Sequence, residues 1–286
     1  MCTQNQPKEE RTLRKEDFII PDDWKPTSPS LKRIRSLCIA LFMSLLLVIT
    51  ASVEPQEFVT DGLVAFYTLD KVDIDGDKVK DISGNGNGAK IIGKLTSVKG
   101  QIDECLEFDA GAGNYVEIPP LGAWEQVSID CWALQAKDAP AGIQGIVSTW
   151  QWAAGKVHFK FENNQIQVHK NDGVKITFNR ELDTWYHIVY TTDTKKGELK
   201  LYVNGELASK GASGATPENM DERRIGSEHD GRFLKGMVDD VRIYNRVLSP
   251  KEVKQNFNVQ SNELTVSLKD KLATRWGNLK KAALSQ

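Results

Sequence analysis

From Gly62 onward, apolar and polar positions alternate in short runs of about 5 to 8 residues separated by turn signals. LVAFYTL (63–69), ECLEF (104–108), YVEIP (115–119), VSIDCWAL (127–134), KVHFKFE (156–162), WYHIVYTTD (185–193) and MVDDVRIYN (237–245) all carry this period. Side chains alternate between the two faces of a strand, so each run reads as a strand with one apolar face. No long amphipathic helix separates them, which excludes a parallel βαβ sheet and predicts an all-β antiparallel sandwich. Asn204-Gly205, between KLYV and ELAS, predicts a type I′ hairpin, and Asn163-Asn164 predicts a similar one. Ser249, Pro250 and Glu252 have the spacing of a capping box with proline in the first turn, so a short helix should begin there. Beyond it, Leu264, Leu268, Leu272, Trp276, Leu279 and Ala283 form an apolar stripe. This amphipathic tail, residues 258–286, either docks on the sandwich, which is the expected case, or meets a partner or a membrane surface.

One segment breaks the pattern. Residues 36–53, SLCIALFMSLLLVITASV, carry no charge, and Lys32, Arg33 and Arg35 precede them. A run of this length is at the lower limit for spanning a bilayer, and the basic flank keeps the N-terminus cytoplasmic. Residues 1–35 then read as a disordered cytoplasmic leader. The segment is either a transmembrane signal-anchor or a cleaved signal peptide, because Thr50 and Ser52 are small residues at a plausible cleavage spacing. Either way the domain lies outside the cytoplasm, membrane-anchored or secreted. That compartment would permit a bridge between Cys105 and Cys131, but alternation opposes it. Leu106 and Phe108 point inward, which turns Cys105 outward, whereas Cys131 points inward.

With 37 basic and 39 acidic residues the net charge is -2, so no field gathers nucleic acid. The loop DISGNGNGAKI (81–91) matches a dinucleotide fingerprint literally, yet β-branched residues follow where a helix must receive the pyrophosphate. An EF-hand fails likewise: Asp73, Asp75 and Asp77 imitate its first ligands, but Lys78 and Gly84 occupy the positions of its glycine and closing glutamate. Calcium bound by mixed carboxylate and carbonyl oxygens stays open, with Asp81 at the loop's mouth. Asp70 and Asp239 both belong to apolar strands, and Asp239 alternates with Val241 and Ile243. A buried carboxylate there needs a cation, an arginine or several N–H donors.

GLVAFYTLD, DISGNGNGAKI, ECLEFDAGAGNYVEIP, VSIDCWAL, TWYHIVYTTD, GELKLYVNGELAS and FLKGMVDDVRIYNRVLSPKEV, in that order, resemble the laminin G-like, concanavalin A-like jelly-roll domains. The resemblance covers about residues 58–257. It implies a two-sheet antiparallel jelly-roll sandwich of about 12–14 strands. It also implies a structural calcium ion, with Asp70, Asp81, Asn85 and Asp239 at the matching motif positions, and carbohydrate or protein binding along one rim. The loop FDAGAGNY departs from the family's pattern by carrying Asn114 in place of an acid.

No strand offers the closely spaced acids of the related glucanases, so no catalytic residue is assigned. Trp150 and Trp152, two apart in STWQWAAG, are placed on one strand face where they either stack on sugar or pack in the core. His229, Asp230 and Arg232 occupy a polar loop suited to ligand recognition, whereas Trp132, Trp185 and His187 are assigned to the interior. The expected function is a non-catalytic carbohydrate- or ligand-binding module. An adhesion or assembly module that engages an extracellular protein is the first alternative, and a glycoside hydrolase the second.

Overall fold

The computed structural model describes residues 57–229 and 231–259. The leader, the apolar run 36–53, Asp230 and the amphipathic tail beyond residue 259 lie outside them. Among the described residues no helix is long and apolar enough to cross a membrane.

The described residues form a sandwich of antiparallel sheets. The larger sheet centres on the strand Gln126–Gln135, flanked by Tyr186–Asp193 on one side and Gly236–Tyr244 on the other. Glu198–Val203 and Glu206–Ala212 extend it outward in one direction. Leu63–Tyr67 and Glu104–Phe108 both pair with Gly236–Tyr244. The facing layer consists of a four-stranded sheet containing Val157–Glu162 and Gln165–Lys170, and a six-stranded sheet containing Val147–Thr149, Arg223–Ile225 and Tyr115–Glu117. Among the described residues the strand segments number 22, more than the sequence pattern suggests, because short rim ladders such as Ser227–Glu228 with Arg232–Phe233 add pairs of two residues each.

The alternation operates as the residues dictate. Val127, Ile129, Cys131 and Ala133 enter the core between the layers, where they meet Val157, Phe159 and Phe161. Asn204 and Gly205 both take positive φ at the hairpin between Glu198–Val203 and Glu206–Ala212, and Asn163 and Asn164 do so at the next. The helix Pro250–Phe257 starts at Ser249 with a complete capping box.

The outer face of the larger sheet is covered too, which alternation alone does not reveal. Phe58, Ile102 and Val259 pack on Phe66 and Trp132, while Leu248 and Val253 pack on Val189 and Tyr244. Asn256 joins the two ends of the domain: its Oδ1 accepts from Val59 N at 2.8 Å, and its Nδ2 donates to Asp130 Oδ2 at 2.9 Å. His187 and Arg242 sit on the same face, with His187 Nε2 and Arg242 Nη1 at 3.2 and 3.3 Å from Asp130 Oδ1 and Arg242 Nη2 at 2.6 Å from Asp240 Oδ2. Cys105 is therefore turned away from the inter-sheet core, as expected, but is buried rather than exposed. Cys105 and Cys131 are free thiols on opposite faces of one sheet.

Candidate functional site

The strand Val157–Glu162 sends His158 and Lys160 away from the core, yet both are buried. A hairpin and a loop fold over them. In the hairpin, Glu228 pairs in register with Arg232, and Glu228 Oε1 lies 3.0 Å from Arg232 Nη1, 3.0 Å from His158 Nδ1 and 3.8 Å from Lys160 Nζ. The loop lays Trp152 on His158, with ring centroids 3.8 Å apart and planes inclined by 25°. Lys160 Nζ and Arg232 Cζ stand 5.4 and 5.6 Å from the Trp152 ring. Trp152 stays 46% exposed, so part of the indole reaches solvent while His158 and the two cations over the ring hold the remainder. Burial pushes both His158 and His169 below the ordinary imidazole range, so neither adds positive charge at neutral pH. Glu228 Oε2 and His158 Nε2 are buried without a hydrogen-bond partner among the described residues, and the His158 Nδ1 contact is close but not aligned as a hydrogen bond.

Gly145 sets the height of this hairpin. A Cβ at Gly145 would stand 2.2 Å from the Ser227 carbonyl carbon and 2.4 Å from Glu228 N, both backbone atoms that cannot swing aside. Gly145→Ala is expected to cost about 1–3 kcal/mol by overpacking, read as a lowered urea midpoint with unchanged slope.

Trp150 and Trp152 come together on this outer face, although both follow the strand Val147–Thr149 instead of lying within it. Trp150 is already engaged: His229 stacks on it at 5.7 Å, and Arg224 Cζ lies 3.8 Å from its centroid. Arg232 borders Trp152, so the structure gathers Trp150, Trp152, His229 and Arg232 into one region. Asp230 lies outside the described residues. Sequence reasoning missed His158, Lys160, Arg224 and Glu228. The alternation of KVHFKFE does carry a signal for the first two, since it places them opposite Phe159 and Phe161.

The expected calcium ligands fall into two groups. Asp81 Oδ1 accepts from Phe66 N and Ser83 N at 3.0 and 2.9 Å, and its Oδ2 accepts from Asn87 N at 2.9 Å. Asn85 Nδ2 donates to the Leu63 and Val64 carbonyls. These contacts cap the edge of Leu63–Tyr67 that faces away from Gly236–Tyr244. The glycine loop thus covers a strand edge, with Asp81 engaged by three backbone N–H groups. Asp70 and Asp239 differ. Asp239 Oδ2 accepts from Gln101 N and Ile102 N at 2.9 Å each, Asp70 Oδ1 accepts from Glu104 N at 2.8 Å, and Asp239 Oδ1 is buried without a partner among the described residues. Burial first, then the Asp240 and Asp70 carboxylates, push the Asp239 carboxyl up to about 9. Two adjacent hard-oxygen donors, one with an orphaned oxygen, fit a calcium ion. Further ligands would have to be carbonyls or water, because no cluster of three acidic, His or Cys side chains assembles among the described residues.

A bulge explains why Asp239 lies where alternation does not put it. Val238 and Val241 both enter the core, the ladder to Gln126–Gln135 shifts between Asp239 and Arg242, and Asp240 takes φ 53°. Asp239 consequently faces the covered outer side, opposite to Val241 and Ile243.

Two clefts of about 720 and 730 Å³ lie elsewhere, one bordered by Lys71, Leu95 and Glu104, the other by Glu107, Asn114 and Lys235. Neither offers an exposed aromatic ring, which distinguishes them from the Trp152 surface.

No curated protein sequence matches the chain. Among solved structures it is similar to domain 4 of AbnA, an extracellular arabinanase of Geobacillus stearothermophilus, in complex with arabinotriose. Identity is 17%, coverage is 72% of this chain and 100% of that one, and the TM-score is 0.56. It is also similar to the ligand binding domain of botulinum neurotoxin serotype D in complex with N-acetylneuraminic acid, at 17% identity and TM-score 0.55 over 71% of this chain and 52% of that one. Trypanosoma rangeli sialidase in complex with sialic acid matches at 19% identity and TM-score 0.56, over 71% of this chain and 33% of that one. The chain thus spans about half of the neurotoxin domain and a third of the sialidase. At these identities the likeness concerns the fold. A family model for the concanavalin A-like lectin/glucanases superfamily matches residues 110–254, just over half of the sequence and including the platform and the closing strand. The chain therefore belongs to the laminin G-type family of that superfamily.

Proposed function

We propose that the domain is a non-catalytic glycan-binding module whose site is the Trp152 platform. The observation that carries this reading is the half-exposed indole braced on His158, with the Arg232 and Lys160 cations over its ring. An apolar ring face stacks on the C–H face of a sugar while surrounding polar groups take the hydroxyls. The sugar complexes of structurally similar domains support the same class of ligand. Export, anchored or secreted, draws support from the 36–53 run and its basic flank. A structural calcium ion would be held by Asp70 and Asp239, where it would neutralise two buried carboxylates and tie the Gln101–Glu104 turn to the closing strand.

Trp152→Ala is expected to weaken binding to arabinotriose or sialyllactose at least about tenfold and to lower the thermal midpoint only slightly, since about half of the side chain is buried on His158. Calorimetric titration of the wild-type chain and the variant checks it. Equal affinities would remove the platform from the site; no glycan binding at all, with protein partners bound instead, would favour an adhesion module.

A hydrolase reading has one observation in its favour: Glu162 and Glu228 both lie within 4 Å of the Lys160 ammonium. Release of reducing ends from polysaccharide, lost in Glu228→Gln, would establish hydrolysis instead.

A further inference from the structure

Arg224 is a cation with no assigned task. It belongs to Arg223–Ile225, where its neighbour Arg223 turns into the core to pair with Glu218 and donate to the Val147 and Val157 carbonyls. Arg224 turns the other way, onto the platform face. Its guanidinium carbon lies 3.8 Å from the Trp150 ring centroid and 4.2 Å from that of Tyr115. Phe233, adjacent to Arg232, stacks on Tyr115 at 6.4 Å. These rings fix the side chain at low entropic cost and leave its hydrogen-bonding edge unspent.

None of the Arg224 guanidinium N–H groups donates to an acceptor among the described residues, and no carboxylate there lies within ion-pair distance. The nearest acid by register, Glu117, stands directly across the ladder and still forms no ion pair with it. The other cations of the face are matched: Arg232 is held by Glu228 and Lys160 by Glu162. A half-buried guanidinium that ignores an available carboxylate and keeps five donors unused is preorganised for an anion from outside.

We infer that the platform's ligands are acidic saccharides, with a sugar carboxylate received by the planar fork of Arg224 while the sugar ring lies towards Trp152. This rests on the glycan reading and narrows it to a class. A carboxylate matches the guanidinium geometry in two parallel N–H···O bonds, which a neutral hydroxyl cannot supply.

The test titrates the full-length chain with sialyllactose, tetragalacturonate and a hyaluronan tetrasaccharide, each beside its own carboxyl-reduced form, with arabinotriose as a neutral reference. At least one acid should bind about 10- to 100-fold tighter than its reduced partner. Arg224→Gln should bring the pair within about twofold of each other without changing affinity for the reduced form, and Arg224→Lys should restore only part of the preference, because a point charge lacks the fork. Trp152→Ala should weaken acid and reduced form alike. Matched thermal midpoints confirm that the Arg224 variants are folded. Binding of neutral and acidic forms with equal affinity, or of arabinotriose alone, overturns the acid inference and leaves the glycan reading intact. An acid preference that survives Arg224→Gln also overturns it, whereas no binding of any saccharide overturns both.

Discussion

Arg242→Ala should lower the thermal midpoint by about 10–15 °C at pH 7, as expected for a loss of about 3–5 kcal/mol in a domain of this size. Arg242, Asp130 and Asp240 are all fully buried. Burial opposes charge on each of them. The Asp240 and Asp130 carboxylates overcome it at Arg242 and hold the guanidinium firmly charged, while His187 and Arg242 overcome it at Asp130 and hold that carboxyl below its usual range. Removing the guanidinium takes a charged partner from two carboxylates in a low-dielectric setting. It also removes packing, since Arg242 Cζ lies 4.3 Å from the Phe66 ring and 5.2 Å from that of Phe58. Two measurements separate these causes. Arg242→Met restores apolar volume but not charge, so it should recover little at pH 7. The deficit of either variant should shrink towards pH 4, where protonation discharges the acids; a deficit independent of pH would assign the loss to packing.

The second large effect belongs to Asp239. Its carboxyl is raised from 3.8 to about 9 in the folded protein, so folding favours its protonated form. The corresponding stability is fully present below the ordinary carboxyl value near 4 and is lost as pH rises through the window up to about 9, on the order of several kcal/mol in all. Metal-free protein, prepared with chelator, should therefore melt progressively lower from pH 5 to pH 9. Millimolar calcium should raise the midpoint most at the alkaline end, because it binds the ionised carboxylates of the native state alone. Asp239→Asn should flatten the chelated profile and abolish the calcium response. Identical melts with calcium and with chelator at pH 5 and pH 8 would remove the ion.

Strands, hairpins and the capped helix were legible in the sequence because each is written locally, in a period of two, an Asn-Gly pair or a Ser-x-x-Glu spacing. What escaped is non-local. Asp239 was read as facing the same side as Val241, since nothing in VDDVRIYN marks the bulge at Asp240. An acid before glycines, as at Asp81, suits either a metal or a strand edge, and the backbone N–H groups it accepts from depend on the path of Leu63–Tyr67. The spacing of Trp150 and Trp152 places both on one strand face, but they follow the strand instead, and the support of Trp152 by His158 depends on two segments meeting over a third. Arg223 and Arg224 are identical in sequence terms; one is core and the other surface because their strand alternates beneath Trp150.

The stitch at Asn256 gives the domain the character of a cassette. Gln255 also donates to the Glu57 carbonyl, so the first and last described segments leave the sandwich side by side, across the larger sheet from Trp152. A polypeptide with neighbouring termini can be spliced into a surface bend of a host protein without stretching either partner. Recombination could then move this fold between proteins whole, its indole pointing away from the splice.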